Sequence, residues 1–245
     1  MKALLVLLLC LAISTAHAHA GHDKFTVPDL KKIEKESQDP KSSHYYPNLF
    51  KRYEDNDTTL SLEDFRYLYY GSAYQTGYSS MAGSIMSTRD SINSIFRKDS
   101  LINDDYLRME KFVKMNLTAE PYSLDNLNML TSIYKKTGRR DLYLRLKYKL
   151  NKVADATLST GDGKTASSAW YVINISHEYD ILRLFGLKFG GQQSLIEGPA
   201  GPCDYLTLGE NEQDIKGLYF NVTITMGDLD KMLGGSSSKK SKKEK

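Results

Sequence analysis

At residues 159–163, Ser-Thr-Gly-Asp-Gly, the hydrophobic period of the chain changes, and this limits its architecture more than anything else in the sequence. Upstream, apolar side chains recur every three to four residues, the spacing of one helix face. Downstream, short runs rich in β-branched and aromatic residues are bounded by Gly, Pro, Asn and Asp. These runs are residues 170–175 (WYVINI), 203–208 (CDYLTL) and 218–224 (LYFNVTI). Residues 179–187 fit either a strand or a helix, with strand preferred. Helices followed by strands, without alternation, predict an α+β fold: an N-terminal helical layer and then a small antiparallel β-sheet.

The helical half reads in order. Residues 27–39 give a short, mostly charged helix with Pro28 in its first turn and Leu30 and Ile33 on one side, and residues 45–53 give a second. A helix beginning near Leu62 has Ser61 to cap it, Glu63 and Asp64 in its first turn, and Leu60 placed to staple onto Phe65. Its face is Leu62, Phe65, Leu68 and Tyr69, and Gly71 marks a weak point or an end. Tyr106, Met109, Val113 and Leu117 define the next helix. Another, opened by Pro121 and Ser123, carries Leu127, Leu130 and Tyr134 and closes with Lys135, Lys136 and Gly138. Leu142, Leu146, Leu150, Val153 and Thr157 stripe a last helix over residues 141–158. Only Arg139 and Arg140 separate the final two, so they form an antiparallel hairpin. Leu130, Tyr134 and Gly138 stand at spacings that resemble a tetratricopeptide repeat (TPR). No second copy lies one repeat upstream, where Phe96, Ser100 and Asp104 stand, and the reading is one TPR-like hairpin within a helical layer.

Lys2, the apolar run of residues 3–13, and the small-x-small sites Ala16-His17-Ala18 and Ala18-His19-Ala20 compose a secretory signal peptide ending at residue 18, or alternatively at 20. The run falls short of the roughly twenty residues that span a bilayer and no later stretch approaches them, so the protein is expected to be exported and not integral to a membrane. Residues 19–43 then form a leader with one short helix, 44–160 the helical region, 161–233 the β region packed on it as one compact unit, and 234–245 a disordered Gly/Ser/Lys-rich tail. Cleavage removes Cys10, which leaves Cys203 as a buried thiol and a core held by packing alone. The formal charge is +3, from 33 basic and 30 acidic residues. Lys239, Lys240, Lys242, Lys243, Lys245 and Glu244 account for +4 of it in the tail. With Lys2 also gone, the body has 27 basic and 29 acidic residues, a charge of −2. A near-neutral body argues against a nucleic-acid partner, and any contact with phosphate-rich lipid belongs to the tail lysines.

Gly163-Lys164-Thr165 looks like the end of a phosphate-binding loop, but Leu158 stands where that loop needs its first glycine and a helix precedes it. His177-Glu178 opens like a zinc-protease helix, with Ile181 in place of the second histidine. What remains is Asp162 in its glycine turn together with His177, Glu178 and Asp180 at a strand junction. Asp162, His177 and Glu178 are thus the candidate catalytic residues of a hydrolase or metal-dependent enzyme. The alternative is that Asp162 closes a tight turn and the other two bond nearby backbone. His19 and His22, near the new N-terminus, are the candidate pair for copper or nickel; no other metal and no cofactor is expected. Tyr67, Tyr70, Tyr74 and Tyr78 are candidates for a stacking platform for a glycan or protein partner, against the alternative that half of them face the core. No Gly-x-Ser-x-Gly elbow occurs, and only His44 and His177 remain in the body to serve as a base.

Tyr46-Pro47, Leu68-Tyr69-Tyr70-Gly71, the 159–163 segment, His177-Glu178-Tyr179 and Leu218-Tyr219-Phe220-Asn221, in that order, resemble the domain of unknown function (DUF) family 4919, small exported proteins of Bacteroidetes. The likeness covers roughly residues 45–223; Gly198-Pro199-Ala200-Gly201-Pro202 departs from it and reads as a loop extension. The resemblance implies the periplasm or cell surface of a Gram-negative bacterium and no particular reaction. In such a source, Asp57-Thr58-Thr59, Asp90-Ser91-Ile92 and Asp99-Ser100-Leu101 resemble an O-glycosylation signal. The function expected is a non-enzymatic binding or scaffold protein for an envelope protein or glycan.

Overall fold

The computed structural model describes residues 25–81 and 86–232; the signal-peptide segment, His19 and His22 at the start of the leader, and the tail lysines lie outside the described residues. Helices α1 (Leu30–Gln38), α2 (Tyr46–Glu54), α3 (Leu62–Gly71), α4 (Met86–Phe96), α5 (Asn103–Ala119), α6 (Leu124–Lys136) and α7 (Arg140–Leu158) precede any strand. α3 begins as its sequence requires, with the Asp64 N–H donating to Ser61 Oγ (3.1 Å) and the Ser61 N–H donating back to the Asp64 carboxylate (2.8 Å). It then runs through the interior, buried at every residue from Phe65 to Gly71. Arg66 is included, its guanidinium donating to Ser159 Oγ and to the Thr26 carbonyl at 2.5 Å each. α6 ends in a Schellman turn: Gly138 at φ +71° lets its own N–H reach the Lys135 carbonyl and the Arg139 N–H reach that of Tyr134. That turn reverses the chain into α7 and completes the expected hairpin. Leu146, Leu150, Val153 and Thr157 of the α7 stripe are buried, whereas Leu142 is 42% exposed.

Strands β1 (Trp170–Tyr171), β2 (Phe189–Gly198), β3 (Gly201–Leu208) and β4 (Gly217–Asn221) form one sheet in the order β1-β4-β3-β2. Together with the helices it makes the α+β fold. The sheet is mixed where an antiparallel one was expected: β2, β3 and β4 are antiparallel neighbours, but β1 joins β4 in parallel, Trp170 opposite Phe220. β1 lasts only two residues, because Asn174 turns the chain into α8 (Ile175–Leu184) by accepting the Ser176 N–H on its side chain (2.8 Å). Residues 179–187, read as strand, are therefore mostly helix. The buried face of α8 is His177, Glu178, Asp180, Ile181 and Leu182, and three polar residues on that face conceal its helical period. The run 218–224 likewise ends as strand at Asn221, and Thr223–Met232 is a helix, α9. Gly198 and Gly201 pair across the tight turn of the β2–β3 hairpin, so the segment read as a loop extension is that turn. Cys203, on β3 between two neighbouring strands, is a fully buried free thiol.

The 159–163 segment couples helices to sheet. Asp162 and Gly163 both donate their N–H to the Ser168 carbonyl, Trp170 Nε1 donates to the Gly161 carbonyl (2.8 Å), and the Tyr219 N–H donates to the Gly163 carbonyl (2.8 Å). Gly163 has φ +67°, and a Cβ there would stand 2.5 Å from the Trp170 ring.

Candidate functional site

Three helix ends meet at a buried polar network. α5 stops ahead of Pro121 and leaves Glu120 at its C-terminus; Ser123 caps α6, accepting the Asn126 N–H (3.3 Å); Asn174 caps α8. Asp180, on the next turn of α8, accepts from Ser123 Oγ (2.9 Å), the Asp125 N–H (3.2 Å) and Arg183 Nη2 (2.6 Å). Its carboxylate thus sits at the positive end of α6. Behind it runs a relay of side chains: Thr88 Oγ1 donates to Asn116, the Asn116 amide to Asn126, and the Asn126 amide to Ser123. One hydrogen-bonded line therefore joins α4, α5, α6 and α8.

Two clefts open on this network and Glu120 lines both. The larger, about 340 Å³, has Arg89, Asn93, Asp125, Ser176 and Arg183 on its walls, with the relay amides behind. The smaller, about 230 Å³, is walled by Tyr46, Gln75, Tyr78, Tyr122 and His177. Glu120 is buried, with the Asn174 amide (3.3 Å) and the Ser176 hydroxyl (3.5 Å) donating to the same carboxylate oxygen. Burial, then the adjacent Asp180 carboxylate, push Glu120 up to about 7 against the Ser176 hydrogen bond. It can therefore either donate or accept at neutral pH.

The three residues singled out from sequence as an acid–base set have separate partners. Asp162 is held in its own turn, accepting from Ser168 Oγ (2.6 Å) and the Lys164 N–H (3.0 Å). His177 is buried with Nδ1 2.8 Å from the Tyr69 hydroxyl, and desolvation lowers its pKa against the pull of Asp180. Glu178 is fully buried, and neither carboxyl oxygen meets a hydrogen-bond partner among the described residues. Burial, then the Asp204 carboxylate on β3, push it up to about 9. The candidate tyrosines do not form one exposed platform. Tyr67 and Tyr70 are core residues, their hydroxyls donating to Glu36 (2.5 Å) and to the Tyr171 carbonyl (3.2 Å). Tyr74 borders a small cleft against α9, and Tyr78 borders that cleft and the one at Glu120. Asp180 stands in the polar cluster read from the sequence, though not among its three candidate catalytic residues, whereas Glu120 belongs to no motif and is signalled only by its setting, a helix end before a proline. Among the described residues no group of three or more His, Cys, Asp or Glu is arranged to hold a metal ion. No helix among them is long and apolar enough to cross a membrane.

The model of a family described as a domain of unknown function, DUF4919, matches residues 31–231. The chain belongs to the DUF4919 family. The match runs from α1 to the penultimate residue of α9, so both clefts and all three helix ends of the site lie within the DUF4919 domain. No curated protein and no solved structure matches the chain.

Proposed function

We propose that this DUF4919 protein is an exported, non-enzymatic binding protein of the Gram-negative cell envelope, and that its larger polar cleft takes a hydroxyl-rich glycan. The make-up of that wall carries the reading. Asn93 offers a donor and an acceptor, Arg89 and Arg183 donors, Asp125 acceptors, and Glu120 either, within about 340 Å³. Sugar hydroxyls both donate and accept, and a wall of this kind matches them better than it matches an apolar ligand. The relay from Thr88 to Ser123 fixes the amides in advance, which lowers the ordering cost of binding. The signal-peptide pattern at the start of the chain supports export, and the tail lysines support contact with a phosphate-rich surface. Calorimetric titration with envelope-derived oligosaccharides should give saturable binding that weakens at least tenfold in Arg89→Ala and Asn93→Ala, both at exposed positions. Failure of every saccharide to bind, or indifference to both substitutions, rejects the reading.

One observation favours a second reading, hydrolysis of the same ligand: Glu120, held at about 7, stands beside the Asp180 carboxylate, and such a group suits general acid–base work. In that case the protein releases new reducing ends and Glu120→Gln abolishes release while binding persists. Binding without release leaves the non-enzymatic reading in place.

A further inference from the structure

A cavity of about 540 Å³, larger than either cleft at Glu120, lies between α2, α5, α6 and α7, in the groove of the TPR-like hairpin. Its size falls within the range of roughly 300–1,000 Å³ typical of small-molecule sites. Phe50, Tyr53, Leu127, Leu130, Leu142 and Leu146 make its apolar wall. Leu142 is exposed because it borders this cavity; the residue that begins the α7 stripe has no helix to cover it.

Lys149 lines the same cavity. The residue is 8% exposed, its ammonium lies 3.9 Å from the centre of the Tyr53 ring, and among the described residues it has no ion pair. A buried ammonium without an anion is costly, and the ring face offsets only part of that cost. Burial accordingly lowers the Lys149 pKa to about 8, with Glu54 acting weakly the other way. The other charges on the cavity are Arg145, Lys114, which is paired with Glu110 at 2.6 Å, and Glu54 itself. The balance is positive beside an apolar wall in which leucine predominates.

We propose that this cavity binds an amphiphilic carboxylate, its alkyl chain against the leucine wall and its carboxylate on the Lys149 ammonium. The bound anion supplies the partner that the fold withholds. A neutral amphiphile of the same length gains only the apolar contact, and a cationic one meets Lys149 with like charge. Glycan binding at the Glu120 cleft and carboxylate binding here use different residues, so either can fail alone.

Decanoate, decanol and decylamine titrated into the chain at pH 6.5 separate these terms. Decanoate should bind at least tenfold more tightly than decanol, with decylamine weakest. Lys149→Met should erase the preference of decanoate over decanol while leaving decanol binding in place. Leu142→Trp, at an exposed position, should weaken both ligands by filling the space, and it tests the site independently should Lys149→Met fail to fold. Equal binding of decanoate and decanol, no binding of decanoate, a preference that survives Lys149→Met, or indifference to Leu142→Trp would each overturn the proposal.

Discussion

Glu178 is where burial and charge are most directly opposed. Both of its carboxyl oxygens are buried without a hydrogen-bond partner among the described residues, and its neighbour Asp204 is a second acid that burial also raises. Below about pH 4.5, the ordinary glutamate value, native and unfolded chains both hold the proton and the site is neutral in its effect. From there to about pH 9 the unfolded chain has released the proton and the native chain keeps it, so stability falls as pH rises. Glu120 adds a slope of the same sign up to about pH 7. Glu178→Gln should therefore change little at pH 4.5 and stabilise by on the order of 2 kcal/mol at pH 8, measured by urea unfolding at both values. An equal loss of stability in variant and parent between the two would show that another group carries the dependence. Glu178 stands out in the sequence because His177 precedes it, which suggests a metal-binding helix. Its actual setting depends on β3, some twenty-five residues further on, and no local pattern announces that partner. Glu120 is less legible still, since an acid before a proline is commonplace and only three converging helix ends make it a site.

At the scale of single elements, start signals were more legible than strand and helix types. Ser61 and Ser123 cap the helices they precede, and Gly138 turns α6 into α7, because each of these devices is local and written in two or three residues. α8 is hard to read for the opposite reason: His177, Glu178 and Asp180 are buried through contacts distant in sequence, and a polar inner face shows no helical stripe. β2 escaped notice because nearly all of it is exposed and little hydrophobic pattern is required of it. The turn at 161–163 was legible as a turn, and its coupling to Trp170 was not. Gly163→Ala places a methyl group against that ring at a positive φ, which should cost about 2–4 kcal/mol. Chemical denaturation checks the magnitude, and a loss below 1 kcal/mol would mean that the indole shifts aside freely.

Over the whole molecule, all four strands lie downstream of the change of period at 159–163, but so do α8 and α9, and the change of period does not show how the two halves join. Trp170 is the single tryptophan. It donates to the Gly161 carbonyl at the end of the helical half, stacks on Phe185 just after α8, and packs on Phe220 of β4. Helices and sheet should therefore unfold together: tryptophan fluorescence and far-ultraviolet circular dichroism are expected to give one shared urea midpoint, and separated midpoints would show two independent units. Cys203 extends the same logic to rates. A thiol buried on one face of this sheet, its Sγ 3.8 Å from the Ala166 carbonyl, meets an alkylating reagent only when the segment carrying Ala166 lifts off β3 or β3 itself opens. Its labelling half-life is thus an internal clock for the opening of that packing, readable by mass on the cysteine peptide at nanomolar protein and in crude extract, without a dye or an engineered probe.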